Sequence, residues 1–202
     1  MNKKVILFLN GEPPLVFPEL SVYDKIYCTD GSYTYLQQHG IQPDVLSGDF
    51  DSINLKSVEH SLRIVNTPNQ NYTDFEKAMQ IIVDDGYKTV DVYGASGMQQ
   101  DHFMGNLNAA YKFKPKLKIT FFDNYSTYYF LEHQTSLKDV LGKTISLLPF
   151  PYAQGITTKG LQYPLQDDAL DLTGMIGTRN KAIAPQVEIT FKEGELILFI
   201  IN

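Results

Sequence analysis

The stretch Asp44-Val45-Leu46-Ser47-Gly48-Asp49-Phe50-Asp51-Ser52 pairs a short predicted strand, Asp44–Ser47, with a loop that carries two carboxylates. In an extended chain, Asp49 and Asp51 would point to opposite faces. Gly48 favours a turn instead, because glycine adopts backbone angles that other residues avoid. A turn that begins there can bring both carboxylates to one cation.

Two carboxylates beside an open loop suit Mg²⁺, which keeps several waters and shares its remaining positions with phosphate oxygens. The same short Asp-x-Asp pattern also occurs in Asx-rich surface turns. The residues around the pattern must therefore decide between a metal site and a plain turn.

Short apolar runs alternate with helical patterns through the first 124 residues. Such alternation predicts a largely parallel sheet with helices on both faces, a three-layer α/β/α domain of residues 1–124. The predicted strands are Val5–Leu9, Lys25–Thr29, Asp44–Ser47, Leu62–Val65, Thr89–Tyr93 and Leu117–Phe122.

Two helices in this region have clear signals, and a third, weaker one precedes Gly40. Thr73 and Glu76 form a capping-box pattern, and Gly86 ends the helix that follows it. The second helix follows Asp101. Apolar residues recur at helical spacing in both helices, at Phe75, Ala78, Met79 and Ile82 in the first and at Phe103, Leu107, Ala110 and Tyr111 in the second.

Residues 125–202 lack long helical patterns and contain many short β-like runs. We expect an antiparallel β-sandwich of about 75 residues, a usual size for a small domain. The runs Gln186–Phe191 and Glu195–Ile201 flank Lys192-Glu193-Gly194, which predicts a hairpin.

Composition narrows the possible functions. The chain has 202 residues, 43% of them hydrophobic, and a net charge of −6. This acidity argues against a general nucleic-acid binder or a membrane-surface binder. A bound metal could still attract anionic substrates. Cys28 is the only cysteine, and no apolar run approaches the ~20 residues of a membrane helix, so we expect a cytoplasmic protein.

Small or acidic residues follow each predicted parallel strand. Ligands bind outside the carboxyl ends of the strands in open α/β sheets, so these loops should gather at one edge. The loops contain Asn10-Gly11, Asp30-Gly31-Ser32, Gly48-Asp49-Phe50-Asp51-Ser52, Asn69-Gln70-Asn71, Gly94-Ala95-Ser96-Gly97 and Asp123-Asn124.

Single residues at this edge allow more than one interpretation. Asp74 can favour the helix macrodipole or bind a metal or substrate. The glycine-rich segment Gly94–Gly97 can cradle phosphate with its amides, although it lacks a full P-loop spacing. Asp101 can cap its helix or take part in the chemistry.

Taken in order and with their spacing, these motifs resemble the thiamin pyrophosphokinase family over nearly the whole chain. The family pattern is an Asp-Gly turn, Pro-Asp, Gly-Asp-x-Asp-Ser, x-Asp-x-Thr-Asp at a helix start, and Gly-x-x-Gly-Gly-Arg-x-Asp-His. The matching segments are Asp30-Gly31, Pro43-Asp44, Gly48–Ser52, Gln70–Asp74, Gly94–His102, Ile145–Pro149 and Gly160–Leu165.

The resemblance implies transfer of the β,γ-pyrophosphoryl group of ATP to the hydroxyl of thiamin, with release of AMP. It implies Mg²⁺ as cofactor and a homodimer whose sites lie between subunits, and it places Asp101 near thiamin as a candidate base. The implied metal ligands and catalytic residues are Asp49, Asp51 and Asp74, with Asp101 also catalytic. ATP would contact Asp30, Gly31, Ser32, Ser52, Thr73, Gly94, Ser96 and Gly97, and thiamin would contact Asn71, Asp101, Arg179 and Asn180.

Three positions depart from the family pattern. Asn71 replaces an aspartate, and Met98-Gln99 replaces Gly-Arg, which removes a cation near the phosphates. Gly177–Lys181 replaces a Ser-Asn-Glu-like segment, and its Arg179 is a candidate to restore the charge lost at Gln99.

Two other functions remain open at this stage. Another Asp-x-Asp enzyme is one, but a dehalogenase-like phosphatase would carry its aspartate after the first strand, where Asn10 and Gly11 stand. A sugar transferase would leave Thr73-Asp74 and Asp101-His102 unexplained. The second is a non-catalytic nucleotide- or thiamin-binding homologue, which the three departures motivate.

Overall fold

A computed structural model describes residues 3–50 and 62–202, so Asp51 and Ser52 lie outside the described residues. The chain divides into two compact units, Met1–Asn124 and Tyr125–Asn202. In the described part of the chain, no helix is long and apolar enough to cross a membrane. The cytoplasmic location stays a prediction.

The first unit contains a parallel sheet with the strand order β4-β3-β2-β1-β5-β6. Its strands are β1 (Lys4–Phe8), β2 (Ile26–Thr29), β3 (Val45–Gly48), β4 (Arg63–Asn66), β5 (Thr89–Tyr93) and β6 (Lys118–Phe122). Strands β2, β3 and β4 follow one another on one side of β1, and β5 and β6 lie on its other side. This reversal of strand order creates a switch point between β1 and β5, where ligands of α/β sheets usually bind.

Helices cover both faces of this sheet, as predicted. They are α1 (Asp30–Gln38), α2 (Asp74–Asp84) and α3 (Gln100–Phe113). Tyr33 and Leu36 of α1 pack against Phe8 on one face. On the other face, Phe75 of α2 contacts Phe121 of β6, with ring centroids 5.9 Å apart. Phe8 aligns with Tyr93 of β5, and Tyr93 aligns with Phe122 of β6, so Phe121 points to the opposite face from Phe8. The helices therefore lie on opposite faces, and the three-layer α/β/α prediction is confirmed.

A local sequence signal marks the start of α2 but not that of α1. The predicted capping box is present, since Thr73 Oγ1 accepts from the Glu76 backbone N–H and Glu76 Oε2 accepts from the Thr73 N–H. The prediction that Asp30-Gly31-Ser32 forms a loop is wrong, because these residues form the first turn of α1. An acidic residue in a first helical turn is stabilised by the helix macrodipole.

The second unit is built from antiparallel strands around one apolar core, which confirms the predicted class of this region. Its longest strand, β9, pairs with four others. The strands are β7 (Ser126–Phe130), β8 (Gln134–Lys138), β9 (Thr144–Lys159), β10 (Gln166–Asp171), β11 (Gly177–Lys181), β12 (Gln186–Thr190) and β13 (Glu193–Ile201).

The hairpin predicted around Lys192-Glu193-Gly194 is wrong. Strand β12 pairs with Thr157–Lys159 of β9, and β13 continues in the same direction along Thr144–Gln154. Gly194 has φ +80°, and the register shifts just after it. A glycine with positive φ at a register shift forms a β-bulge, so the segment that looks like a turn bends the strand without reversing it.

One partly buried carboxylate fastens strands β2 and β4 to α2. Asp85, the C-cap of α2, accepts a 2.6 Å hydrogen bond from Tyr27 of β2 and 2.7 Å contacts from Arg63 of β4. Burial acts to raise the pKa of Asp85, but hydrogen bonds from Arg63 and Tyr27 outweigh burial and hold the pKa below its usual value.

We predict that Asp85→Asn lowers the free energy of unfolding by about 1.5–3 kcal/mol, the range for hydrogen bonds to charged groups. A carboxylate with a lowered native pKa stabilises the fold above its unfolded pKa of about 4, and the effect is lost as pH falls through the native value. Urea unfolding at pH 7 and pH 3 should therefore show a difference that shrinks at low pH. The exposed neighbour Asp84→Asn is the control, and an equal loss in both variants would contradict the assignment.

Candidate active site

The loops that follow β1 and β5 lie side by side at the switch point. Gly11 N–H donates to Gly94 O at 2.7 Å, and Glu12 N–H donates to Ser96 O at 2.8 Å. A side chain at Gly11 would collide with these two carbonyl groups, so this close approach requires glycine. The predicted glycine-rich segment Gly94–Gly97 is therefore held by the first loop of the chain.

A second set of contacts ties these loops to the end of β6. Asn124 accepts from the Leu15 N–H at 2.8 Å and donates to Pro13 O at 3.2 Å. Ser96 Oγ donates to Asp123 at 3.4 Å. The loops after β1, β5 and β6 thus form one connected edge, as the sequence predicts.

The Asp-x-Asp segment begins where β3 ends at Gly48. The next residues are Asp49 and Phe50, and Phe50 has φ +64°. Just after β4, the Thr67 N–H donates to Gly48 O at 2.8 Å. The positive φ of Phe50 changes the chain direction just after Asp49, but the approach of Asp49 and Asp51 to one cation stays a prediction, because Asp51 lies outside the described residues.

Asp30 contacts this segment. Its carboxylate accepts from the Gly31 N–H at 2.7 Å and from the Phe50 N–H at 3.3 Å. The pKa of Asp30 is raised, chiefly by burial, and the carboxylates of Asp74 and Asp49 add to the increase while the two N–H groups oppose it. Asp30, Asp49 and Asp74 therefore share one electrostatic environment.

Polar neighbours hold the two more exposed carboxylates. Gln70 Nε2 donates to Asp49 Oδ2 at 3.0 Å. The Lys77 ammonium lies 2.8 Å from Asp74 Oδ1 and donates to Thr67 O at 2.9 Å. The side chain of Asp74 stays half exposed, which leaves it accessible to a ligand.

Three further predicted site residues of the first unit differ from one another in exposure and contacts. Asn71 is exposed in the loop before α2, and Thr73 uses its hydroxyl to cap that helix. Ser32 is fully buried, and its hydroxyl donates to Phe8 O at 2.8 Å. The side chain of Ser32 therefore packs within the fold and does not face the edge.

Asp101 is exposed in the first turn of α3. Its Oδ1 accepts from the His102 N–H at 3.0 Å. The interpretation of Asp101 as the helix cap is wrong, because Gln99 occupies the N-cap position and makes no side-chain cap bond. Asp101 is thus open to solvent and available for chemistry.

In the second unit, Arg179 and Asn180 lie in β11. Arg179 is exposed with φ +55°, and its N–H donates to Ser146 Oγ at 2.9 Å. Asn180 Oδ1 accepts from the Tyr163 N–H at 3.1 Å, and its Nδ2 donates to Tyr163 O at 2.6 Å. The amide of Asn180 thus fastens the loop that presents Tyr163, whose surface is 67% exposed.

The donor set at the carboxyl edge fits Mg²⁺. Within residues 3–50 and 62–202, no cluster of three or more acidic, cysteine or histidine residues could hold a metal ion. Mg²⁺ does not need such a cluster, because it is usually bound by one or two carboxylates, several waters and substrate phosphates. Asp49 and Asp74 supply hard oxygen atoms of this kind.

Comparison with known proteins identifies the family. Residues 19–121 match the family model described as the thiamin pyrophosphokinase catalytic domain, and residues 132–196 match its vitamin B1 binding domain. The chain belongs to the thiamin pyrophosphokinase family. The catalytic-domain match contains all the predicted site residues of the first unit, and the second match contains Arg179 and Asn180.

Two relatives match this chain in sequence over most of its length. Thiamine pyrophosphokinase of Bacillus subtilis is 27% identical, over 96% of this chain and 97% of the relative. Thiamin pyrophosphokinase 1 of Caenorhabditis elegans is 25% identical, over 91% of this chain and 83% of the relative.

Solved structures share the fold. The crystal structure of the Bacillus subtilis enzyme has a TM-score of 0.83 at 24% identity, covering 98% of this chain and 99% of the other. Thiamin pyrophosphokinase from Candida albicans has a TM-score of 0.81 at 21% identity, covering 99% and 89%.

Three residues at this edge were not singled out from the sequence. Glu12 lies against Gly97, where a β-carbon would meet it, while Gln70 contacts Asp49 and Lys77 contacts Asp74. The contact between Asp74 and Lys77 has a sequence signal, because residues three apart on a helix are neighbours. The contacts of Glu12 and Gln70 join separate loops and have no local signal.

Proposed function

We propose that this protein is a thiamin diphosphokinase that transfers the pyrophosphoryl group of ATP to the hydroxyl of thiamin. Family membership supports the reaction, and the carboxylate edge formed by Asp30, Asp49 and Asp74 is the observation that carries it in this structure. The hydroxyl oxygen forms a bond to the β-phosphorus, the bond from that phosphorus to the bridging α,β-oxygen breaks, and AMP leaves. The hydroxyl proton passes to a base.

We further propose that Asp49 and Asp74, with Asp51, hold Mg²⁺. A bound Mg²⁺ supplies positive charge that offsets the charge of the phosphates. Lys77 is bound to Asp74, and Gln99 carries no charge where the family pattern has arginine. Apart from Lys77, the side chains named at this edge carry negative charge or none, so we expect polyphosphate binding to depend on a bound cation.

The other residues of the edge would orient the two substrates. The segment Gly94–Gly97, braced by Gly11 and Glu12, offers a fixed backbone surface to the phosphates. Asp101 is exposed at the start of α3 and is our candidate to accept the proton of the thiamin hydroxyl. Phosphoryl transfer depends mainly on positioning and charge neutralisation, which such a site can provide.

The direct test incubates the purified protein with thiamin, ATP and Mg²⁺ and separates the products by chromatography. Formation of thiamin diphosphate and AMP in equal amounts supports the proposal. Release of ADP or free phosphate would indicate a different phosphotransfer enzyme. Calorimetric binding of both ligands without any product would indicate the non-catalytic homologue.

Asp49→Ala should reduce the rate of transfer at least ~100-fold, because it removes an electrostatic group where charge develops. The matched control is Asp84→Ala, which removes an exposed aspartate at the far end of α2. Circular dichroism should show both variants folded. Near-parental activity in Asp49→Ala would contradict the metal assignment.

We also propose a homodimer in which each site combines Asp49 of one subunit with Asn180 of the other. A closed two-fold dimer has two equivalent sites. Asp49→Ala and Asn180→Ala homodimers should each be inactive, whereas the mixed dimer keeps one intact site and about half the parental activity. The measurement uses two tags on co-expressed variants and an assay of the doubly tagged species. A folded but inactive mixed dimer would place each site within one chain.

A further inference from the structure

Phe50 has an unusual backbone conformation next to a proposed metal ligand. Its φ of +64° lies in the left-handed region, which is unfavourable for residues with a β-carbon other than asparagine and aspartate. Such conformations persist only where surrounding contacts enforce them, and they cluster at functional sites. The contacts that enforce this one should therefore control the position of Asp49.

Among the described residues, three contacts hold the segment that ends at Phe50. The Phe50 N–H donates to Asp30 Oδ2 at 3.3 Å, and the Thr67 N–H donates to Gly48 O at 2.8 Å. The Phe50 ring packs against the apolar cluster under α1. Of these contacts, only the one from Asp30 comes from a charged side chain.

Asp30 is itself fixed in place. It is 91% buried, since its relative exposure is 9%, and its other carboxylate oxygen accepts from the Gly31 N–H at 2.7 Å. A β-carbon added at Gly48 would overlap the carboxylate and Cβ of Asp30. The carboxylate therefore fits into the space that the missing side chain of Gly48 leaves open.

We propose that Asp30 is a positioning residue, which fixes the Asp49–Phe50 turn so that Asp49 can bind the metal ion. This inference rests on the proposed Mg²⁺ site and assigns to Asp30 a role different from contact with ATP. Asp30 acts through the Phe50 N–H, and backbone N–H groups hold its two carboxylate oxygens.

A simpler role for Asp30 is that of a nearby negative charge. Such a charge would attract a cation without any exact placement of the Asp30 side chain. Charge and geometry can be separated because two substitutions keep the charge but disturb the fit. Asp30→Glu lengthens the side chain in a closed space. Gly48→Ala leaves Asp30 unchanged but places a methyl group where its carboxylate lies.

The experiment measures Mn²⁺ binding by electron paramagnetic resonance, with and without α,β-methylene-ATP, in the full-length protein. Asp30→Glu and Gly48→Ala should each weaken Mn²⁺ binding about 10- to 100-fold, the effect expected when a residue that orients a metal ligand is lost. Gly105→Ala is the matched control, because a β-carbon there meets no atom within 4 Å. Its affinity for Mn²⁺ should equal that of the parent.

A double-mutant cycle tests the same idea without a steric clash. Phe50→Gly permits the left-handed conformation without support, since glycine adopts it readily. If Asp30 acts by holding the turn, Asp30→Asn should cost less Mn²⁺ affinity in the Phe50→Gly background than in the parent. If Asp30 acts by charge alone, the two costs should be equal.

The outcomes separate the two proposals. Parental Mn²⁺ affinity in folded Asp30→Glu and Gly48→Ala, or equal costs in the cycle, would overturn the role of Asp30 while leaving the enzymatic activity standing. Failure of the parent to bind Mn²⁺ under either condition would overturn the metal site and this inference together. Thermal melts monitored by circular dichroism establish whether each variant is folded. If Asp30→Glu and Gly48→Ala are unfolded, the double-mutant cycle serves as the test of the proposal.

Discussion

Burial of the Asp30 carboxylate near two further carboxylates, those of Asp49 and Asp74, is the constraint around which this edge of the first unit is arranged. Burial raises the pKa of Asp30, and repulsion from the two neighbouring charges adds to the increase. Asp30, Asp49 and Asp74 come from three different loops or helix starts and share one electrostatic environment. The fold offsets this repulsion with nearby donors, which are backbone N–H groups for Asp30, Gln70 for Asp49 and Lys77 for Asp74. Asp30 and Asp74 also begin α1 and α2, where the helix macrodipole favours negative charge.

Much of this arrangement could be predicted from the sequence because its signals are local. Apolar runs predicted the six parallel strands, and the capping-box pair Thr73–Glu76 predicted the start of α2. The strand ends then placed Asp49, Gly94 and Asp123 at the same edge. Sequence reasoning failed where a local pattern has two structural solutions. Lys192-Glu193-Gly194 can be a hairpin turn or a bulge, and only pairing with β9, far away in sequence, selects the bulge.

The roles of individual site residues were harder to predict than their location. The predicted ligand contacts of Asp30 and Asn180 stay predictions, and both side chains also bond to backbone groups of residues distant in sequence. The local sequence around either residue contains no signal that predicts such a contact. Residues that position other residues can therefore carry the same motif as residues that touch a substrate, and three-dimensional distances are needed to tell them apart.

The place of β13 between β7 and β9 has a consequence for synthesis of the chain. The described strands of the first unit are complete by Phe122, so that unit can fold while later residues are still being made. In the second unit, β7 and β9 meet only through β13, the last strand in sequence order. Its core therefore has to wait for residues 193–201 to leave the ribosome, and the nascent chain exposes unpaired β edges until that moment.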